Sequence, residues 1–439
     1  MKRVLVLGAG LVAKPLVEYL LNHQYHVVLA TRTVDKALKM IGGRPNGEAH
    51  PLDLQDEAKL AGHIKGCDLA VSLVPYAFHP VVAKHCIAHK KNMVTTSYVS
   101  DAMKELDKPA REAGVTILNE IGVDPGIDHM SAMRIIDDVR KKGGKVVAFR
   151  SYCGGLPAPE DNDNPFGYKF SWAPRGVLLA GRNSAKYIMD GRKVEIPNSR
   201  LFHDVHFLHV PEMGEFEAYP NRDSISYIDV YGLQGISTIF RGTLRNHGWC
   251  DTLYNINRLG LLSLDEMDVK GKTYEDLVRK VVGCLAGDDL RRAIAKKLVL
   301  PVESFPIQNL AWLGMLSKRP FKVDKISPLD AVGDLMYEKL AYAPHERDLI
   351  ILFHDFRVEY PGGKRARITS TMIDYGIKDG DSSMSRTVSL PAAIGVNMIL
   401  TGKLKTTGVL RPVTPEIYNP CLDELAGMNI SCKEATEEY

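Results

Sequence analysis

The amino-acid sequence predicts an α/β protein, with a parallel, doubly wound sheet at its start and a second α/β domain whose sheet is mostly antiparallel. Three observations carry this. Apolar strand-like runs alternate with helix-like periodicity over residues 4–121. A glycine-rich turn, Gly8-Ala-Gly10-Leu-Val-Ala13, joins the first strand to the first helix. Beyond Gly126 strand-like runs follow one another, and residues 348–374 read as a hairpin around Pro-Gly-Gly363. A chain of 439 residues exceeds one ordinary core, so two or three domains are expected.

In the first strand, Val4 to Leu7, apolar residues run up to Gly8, which makes the turn. Gly10 lets the backbone approach a pyrophosphate, and Ala13 is small enough for close helix-on-strand packing. The amides that open the next helix then face the phosphates. A second strand, 26–30, follows at the spacing of a βαβ unit and ends in Thr31-Arg32-Thr33. An NAD enzyme places a carboxylate here for the ribose 2′-hydroxyl, but none stands between Leu29 and Thr33. Arg32 instead offers a permanently charged fork to a 2′-phosphate, and the hydroxyls of Thr31 and Thr33 add donors. NADP is therefore the expected cofactor.

A helix to Met40 and the Gly42-Gly43 break lead to Leu52-Asp53-Leu54, where Asp53 is either an adenine-side contact or the N-cap of a helix over 57–64. The spacing then predicts a strand over 68–75, a helix over 78–89, a strand over 92–98, a helix over 101–113 and a strand over 115–121. Ligands of such sheets bind off the carboxyl ends of the strands. Pro75-Tyr76, Thr96-Ser97-Tyr98 and Gly122-Val-Asp-Pro-Gly126 are thus expected to face one crevice.

Further on, a helix is expected over 128–141, a strand over 145–150 and a rigid loop over 153–159. Residues 205–245 are β-rich, 253–316 are helical in pattern and could cover the active site, and an apolar helix over 391–400 returns to the first domain. The expected domains are 1–125 with a return of about 388–412, 126–252 with 331–387, and a helical lid at 253–330.

Composition excludes several classes of function. The formal net charge is +3, from 56 basic and 53 acidic residues without a like-charge block, so neither nucleic acid nor a membrane surface is an expected partner. The seven cysteines are scattered without a C-x-x-C pair, which suits reduced thiols and gives no structural zinc site. The 14 histidines show no metal-binding spacing, and no metal is expected. With no signal peptide and no apolar run of membrane-spanning length, a cytoplasmic protein is expected.

The sequence resembles the NADP-dependent, glutamate-forming saccharopine dehydrogenases, also called saccharopine reductases. The resemblance lies in Thr31-Arg-Thr33, Ser72-Leu-Val-Pro-Tyr76, Val94-Thr-Thr-Ser-Tyr98, Asn119-Glu-Ile-Gly-Val-Asp-Pro-Gly-Ile-Asp-His129, Ser151-Tyr-Cys-Gly-Gly-Leu-Pro-Ala-Pro-Glu160, Asn164-Pro-Phe-Gly-Tyr-Lys-Phe-Ser-Trp172, Tyr219-Pro-Asn-Arg-Asp-Ser224 and Arg241-Gly-Thr-Leu-Arg245. It thins over 259–320. It implies a variant Rossmann domain, an α/β substrate and dimerisation domain in a homodimer, and a small helical domain. The implied reaction condenses L-glutamate with L-2-aminoadipate 6-semialdehyde and reduces the imine to saccharopine, or runs the reverse, in lysine metabolism.

The resemblance also implies site residues. Ala9, Leu11 and Val12 join Gly8, Gly10 and Ala13 around NADP, as do Thr31, Arg32, Thr33, Asp53 and Leu54. Val74, Thr96, Ser97, Val123, Asp124, Pro125 and Ser171 complete that set. Ser97, Tyr98 and Asp124 contact substrate, with Arg222, Thr243, Leu244 and Arg245. Saccharopine carries three carboxylates, and the guanidinium forks of Arg222, Arg241 and Arg245 suit them, each with a structural salt bridge as its alternative; Arg222 and Arg245 gain most from the resemblance. Imine reduction also needs a proton source, for which Tyr98, Asp124 and Cys153 compete, with ordinary pKa values of about 10, 3.9 and 8.5. Cys153 is equally readable as an inert packing thiol. Two other functions fit part of the pattern: an imine reductase acting on a carboxylated polyamine, and a non-catalytic NADP-binding regulator. The first calls for extra pocket carboxylates and the second for a mutated crevice.

Overall fold

In the computed structural model, which describes residues 1–439, the first apolar run becomes β1 (Arg3–Leu7) and the helix periodicity after Ala13 becomes α1 (Lys14–Asn22). The alternation continues through β2 (His26–Thr31), α2 (Val34–Ile41), β3 (Gly47–Pro51), α3 (Glu57–Lys65), β4 (Leu69–Ser72) and α4 (His79–Ala88). Then come β5 (Asn92–Thr95), the short α5 (Asp101–Lys104) and α6 (Asp107–Ala113), β6 (Thr116–Leu118) and α7 (Ile127–Lys141). The next elements are β7 (Lys145–Pro157), α8 (Pro174–Ala180), β8 (Ala185–Met189), β9 (Arg192–Ile196), β10 (His206–Val210) and β11 (Gly214–Pro220). They lead to α9 (Tyr227–Tyr231), β12 (Thr238–Arg245), α10 (Trp249–Arg258), β13 (Met267–Asp268), α11 (Tyr274–Val282), α12 (Leu290–Leu298), α13 (Phe305–Leu313), β14 (Lys325–Ile326) and α14 (Pro328–Lys339). The chain closes with β15 (Asp348–Glu359), β16 (Arg365–Tyr375), α15 (Ser383–Leu400), β17 (Gly408–Leu410), α16 (Pro415–Gly427) and β18 (Lys433–Glu438).

Two compact units result, the first from Met1–Val146 and Val358–Tyr439, the second from Val147–Arg357. The first unit holds a parallel sheet in the order β17-β6-β5-β4-β1-β2-β3. Its inner strands are buried on both faces: Leu5, Leu7, Val28, Ala70 and Ile117 pack with Leu60, Val82 and Met103 from the helices. Chain order jumps at the β1–β4 step, which makes this the place where the carboxyl ends open for a ligand. Helix α15 belongs to this unit and is tied to it by the Tyr25 hydroxyl, which donates to Asn397 Oδ1 at 2.7 Å. β16 and β18 pair antiparallel in the same unit.

In the second unit the strands run β10-β11-β12-β7-β15, with β8 also pairing with β12 and β9 with β8. Most of these pairs are antiparallel, but β12 and β7 are parallel, so the sheet is mixed.

The structure corrects four readings of the sequence. Residues 253–330 are not a unit of their own: Leu253, Leu277, Ile294 and Leu310 share one core with Phe166, Tyr168, Ala185 and Trp249. The return to the first unit begins at Val358, ahead of residue 388. The expected loop over 153–159 is mostly strand, since β7 runs to Pro157. Gly154 fits there because a Cβ at that position would lie 2.7 Å from the Leu244 Cβ, so the glycine marks close strand packing. Finally, β5 and β6 end earlier than their apolar runs suggest, leaving residues 96–98 and 119–125 outside the sheet. No helix is long and apolar enough to cross a membrane, and no group of three or more His, Cys, Asp or Glu is placed to hold a metal ion.

Candidate active site

The glycine turn is built as its spacing requires. Gly8 has φ +103°, and a Cβ there would sit 3.0 Å from the Leu73 carbonyl oxygen and 3.6 Å from Val74 Cγ1, so the turn lies directly against the end of β4. Around Gly10 there is open space, while Ala9 and Ala13 are buried. No side chain caps α1. Its first amides therefore remain for an anionic ligand. At the end of β2 Thr31 is half-buried, and the Thr33 amide donates to its Oγ1 at 3.3 Å. Arg32 is exposed and has no ion-pair partner in the chain. An open backbone cradle, an uncapped helix and an unpaired guanidinium fit a phosphorylated dinucleotide.

Asp53 is not the N-cap of α3. That role belongs to Asp56, whose Oδ1 accepts from the Lys59 amide at 3.1 Å. The Asp53 carboxylate accepts from the Gln55 amide at 3.0 Å in a local turn and is otherwise exposed. Leu54 is half-buried beside it.

The segments leaving β5 and β6 come together. A Cβ on Gly122 would lie 3.2 Å from Thr96 Cβ, and the Tyr98 hydroxyl donates to Asp124 Oδ1 at 2.8 Å. Both partners are half-buried. Val123 and Pro125 are buried in a turn closed by the Asp128 amide, which donates to the Val123 carbonyl at 3.0 Å. That turn needs Gly126, with φ +151°, because a Cβ there would overlap the Gly122 carbonyl.

Glu120 fastens this arrangement. It is 1% exposed, and its Oε1 accepts from the Val99 amide at 2.9 Å and from Arg411 Nε at 2.8 Å, while Oε2 lies 2.9 Å from His129 Nε2. Its own amide donates to the Ser97 carbonyl at 3.1 Å. Burial alone would raise its pKa, but the His129 bond, the Arg411 charge and the Val99 amide outweigh this and hold the carboxyl at about 2. His129 is thus a structural partner. Next to it in function stands His79, 3% exposed, whose Nδ1 lies 2.8 Å from Ser72 Oγ and whose Nε2 lies 2.8 Å from Ser97 Oγ. Burial lowers the His79 pKa to about 4.

In the second unit Cys153 lies on β7 opposite Thr243 of β12, buried and without a disulfide. Leu244 is fully buried against Gly154, and its carbonyl accepts from Arg245 Nη1 at 2.8 Å. Arg245 is the most telling residue. It is 6% exposed, its charge lies over the rings of Tyr168 and Trp249 at 4.8 and 5.5 Å, and no carboxylate pairs with it. Its Nε, the indole Nε1 of Trp249 and the Ser171 hydroxyl are all buried without a partner in the chain. The facing Glu217 is unavailable, because its carboxylate caps α10 through the Gly248 and Cys250 amides, each at 2.8 Å. Arg245 is thus a buried cation whose Nε has no acceptor in the chain.

Arg222 and Arg245 are not brought into one pocket. Arg222 is exposed, with φ +53°, beside Lys186, Glu195 and Asp223, and follows the end of β11 that pairs with Gly242. Arg245 lies three residues further along β12, about 10 Å of strand away. Arg241 is 3% exposed and stacked 4.7 Å over Tyr227.

Sequence reasoning gave His79 and Glu120 no role and named Trp249 nowhere. For Glu120 a signal existed: Asn119-Glu120 is a polar pair in an otherwise buried apolar strand. For the other two there was none, since each acts through a contact made only in the fold.

The glycine turn, the uncapped helix and the parallel sheet of the first unit define a dinucleotide-binding domain. The comparisons with known proteins narrow this. The model of the saccharopine dehydrogenase NADP binding domain matches residues 4–118, and that of the saccharopine dehydrogenase C-terminal domain matches 122–430. The saccharopine dehydrogenase [NADP(+), L-glutamate-forming] of Schizosaccharomyces pombe is 40% identical over 99% of both chains, and that of Saccharomyces cerevisiae is 39% identical over 97% of this chain and 96% of its own. The mitochondrial alpha-aminoadipic semialdehyde synthase of Bos taurus is 37% identical over 98% of this chain, which spans 47% of that longer protein. The structure of apo saccharopine dehydrogenase (L-Glu forming) from S. cerevisiae superposes with a TM-score of 0.89 at 38% identity, covering both chains fully. The chain belongs to the saccharopine dehydrogenase family.

Proposed function

We propose that the protein is an NADP-dependent saccharopine dehydrogenase of the glutamate-forming kind, an oxidoreductase acting on a CH–NH bond. It joins L-glutamate to L-2-aminoadipate 6-semialdehyde and reduces the imine to saccharopine, or runs the reverse. The observation that carries the reading is Arg245, a buried guanidinium for which the chain supplies no carboxylate. A substrate with three carboxylates supplies one.

The amides of Gly10 to Val12 and the open end of α1 hold the dinucleotide pyrophosphate, and Arg32 with Thr31 and Thr33 holds the 2′-phosphate. NADPH supplies the hydride when bound. On the substrate, the iminium carbon accepts that hydride, the π pair of the C=N bond becomes a nitrogen lone pair, and the new amine takes up a proton. Asp124 opposes the positive charge of the iminium in a site partly withdrawn from water. Tyr98, whose O–H is held by the Asp124 carboxylate, gives its proton to the new amine and regains one from water, and in the reverse direction it takes the amine proton. Arg245 and Trp249 hold one substrate carboxylate. Cys153 is a packing thiol. The protein works as a homodimer in the cytoplasm, which sedimentation velocity and cell fractionation test.

The deciding experiment follows the nicotinamide absorbance band with purified protein, saccharopine, and either NADP or NAD. Reduction of NADP, with much slower reduction of NAD, is the expected result. No absorbance change with saccharopine and NADP overturns the reading.

A further inference from the structure

We propose that His79 is a positioning residue which, through a fixed hydrogen-bond direction running from Ser72 to Ser97, makes the Ser97 hydroxyl a donor toward the bound ligand. The imidazole spans the end of β4 and the segment after β5, with both ring nitrogens 2.8 Å from serine oxygens. A neutral imidazole has one N–H and one lone pair, so the direction of the chain depends on which nitrogen carries the proton. Burial keeps the ring neutral down to about pH 4, and no charged group contributes to that.

Ser72 settles the direction. It is fully buried, and the only group of the chain within hydrogen-bond distance of its Oγ is His79 Nδ1. A buried hydroxyl hydrogen without an acceptor costs free energy, so the Ser72 O–H donates to Nδ1. Nδ1 is then the lone-pair nitrogen, and the proton sits on Nε2. The Nε2–H donates in turn to Ser97 Oγ, which occupies an acceptor position of that oxygen and leaves the Ser97 O–H to turn away from the ring.

The Ser97 backbone is already committed. Its amide donates to Thr95 Oγ1 at 3.4 Å, and its carbonyl accepts from the Glu120 amide at 3.1 Å. The hydroxyl is what Ser97 has to offer, and Ser97 is half-buried, next to Thr96 at the Gly122 turn and Tyr98 on Asp124. A hydroxyl fixed as a donor recognises an acceptor: a carboxylate or carboxamide oxygen, or the nitrogen lone pair of the product amine. The proposal rests on the function given above only for which of these acceptors is bound.

Two kinds of measurement test it. Nitrogen-15 and carbon-13 NMR of histidine-labelled protein, without ligand at pH 7, reads the tautomer. An Nε2–H ring at His79 is expected, assigned by its loss in His79→Gln, and an Nδ1–H ring overturns the proposal whatever the enzyme's substrate proves to be. The second measurement compares two amides. In His79→Gln the side-chain amide reaches the Nε2 position and can still donate to Ser97, whereas in His79→Asn it reaches only the Nδ1 position and can bond only Ser72. With saccharopine and NADP, kcat/KM is expected to fall about 10-fold in His79→Asn and to stay within about 3-fold of wild type in His79→Gln. Adding His79→Asn to Ser97→Ala is expected to cause no further loss. Equal losses in the two amide variants, or full additivity with Ser97→Ala, show a role in packing alone and overturn the proposal. Absence of saccharopine turnover in the wild type removes the proposed reaction and leaves the tautomer result standing.

Discussion

Replacing Arg245 with Met separates stability from binding. The guanidinium is 6% exposed, donates once to the Leu244 carbonyl, and lies over two aromatic rings. Keeping an ion so far from water costs several kcal/mol even after relaxation. Against this, two cation–π contacts contribute at most about 2 kcal/mol each, and the hydrogen bond roughly 1 to 2 kcal/mol. The terms nearly cancel, and a Met fills similar volume with a sulfur that packs well on rings. The ligand-free Arg245→Met protein should therefore be as stable as wild type, or more so. Binding moves the other way. Removing one partner of a desolvated charge pair costs roughly 2 to 5 kcal/mol, which weakens saccharopine binding about 30- to 5,000-fold. NADPH affinity should change less than about 2-fold, since Arg32 and the glycine turn are untouched. Scanning calorimetry of the ligand-free protein and titration calorimetry with each ligand measure these quantities. Wild-type saccharopine affinity in the variant refutes the reasoning, as does a fall of about 5 °C or more in the ligand-free Tm.

Other expected outcomes test the remaining groups. Arg32→Ala should raise the KM for NADPH roughly 10- to 150-fold and barely change that for NADH, matching a lost charge-assisted contact of roughly 1.5 to 3 kcal/mol; equal effects in steady-state assays would count against a 2′-phosphate contact. Asp124→Asn should lower the hydride-transfer rate in stopped flow more than Tyr98→Phe, for which about 10²-fold is expected, while Cys153→Ser retains turnover. Normal hydride transfer in Asp124→Asn with none in Cys153→Ser would make the cysteine the proton donor. His79 also sets an acid limb on stability. Its folded pKa, about 4, lies below the ordinary value near 6.5, so the unfolded chain binds more protons between those pH values and stability falls as pH drops through that window. The full effect is roughly 3 kcal/mol. Thermal melts from pH 7.5 to 4 should show this slope in wild type and a flatter one in His79→Gln; parallel curves would show that another group titrates.

What could be read in the sequence was what depends on near neighbours. Gly8 and Ala13 act within one turn, so their spacing was enough to place the first strand, its turn and the helix after it. Parallel order followed from alternation. The failures have a common physical cause, which is contact across sequence. Gly154 looks like a loop glycine until Leu244, on another strand, is seen to fill the space its side chain would need. Asp53 and Asp56 are equivalent caps by composition, and only the position of the Lys59 amide chooses between them. The helices over 253–330 carry apolar faces whose partner core, Phe166, Tyr168 and Trp249, lies elsewhere in the chain, so they looked self-contained. His79 makes its bonds to Ser72 and Ser97, and no local pattern marks a histidine for that work.

The first unit is written in two pieces, with the whole of the second unit inserted between them. A ribosome therefore delivers Tyr98 and Asp124 long before the protein can hold them. When Arg357 has emerged the second unit has all its residues, while β6 still shows a bare edge and Glu120 lacks Arg411. That edge is covered only when Gly408 arrives to donate to the Val115 carbonyl at 2.8 Å. Completion of the frame around Tyr98 and Asp124 thus waits for residues 408 to 411, and a nascent chain stalled between residues 358 and 408 presents an unpaired strand to its neighbours. Chaperone demand during expression should peak over that stretch, even though it contains none of the residues assigned to chemistry.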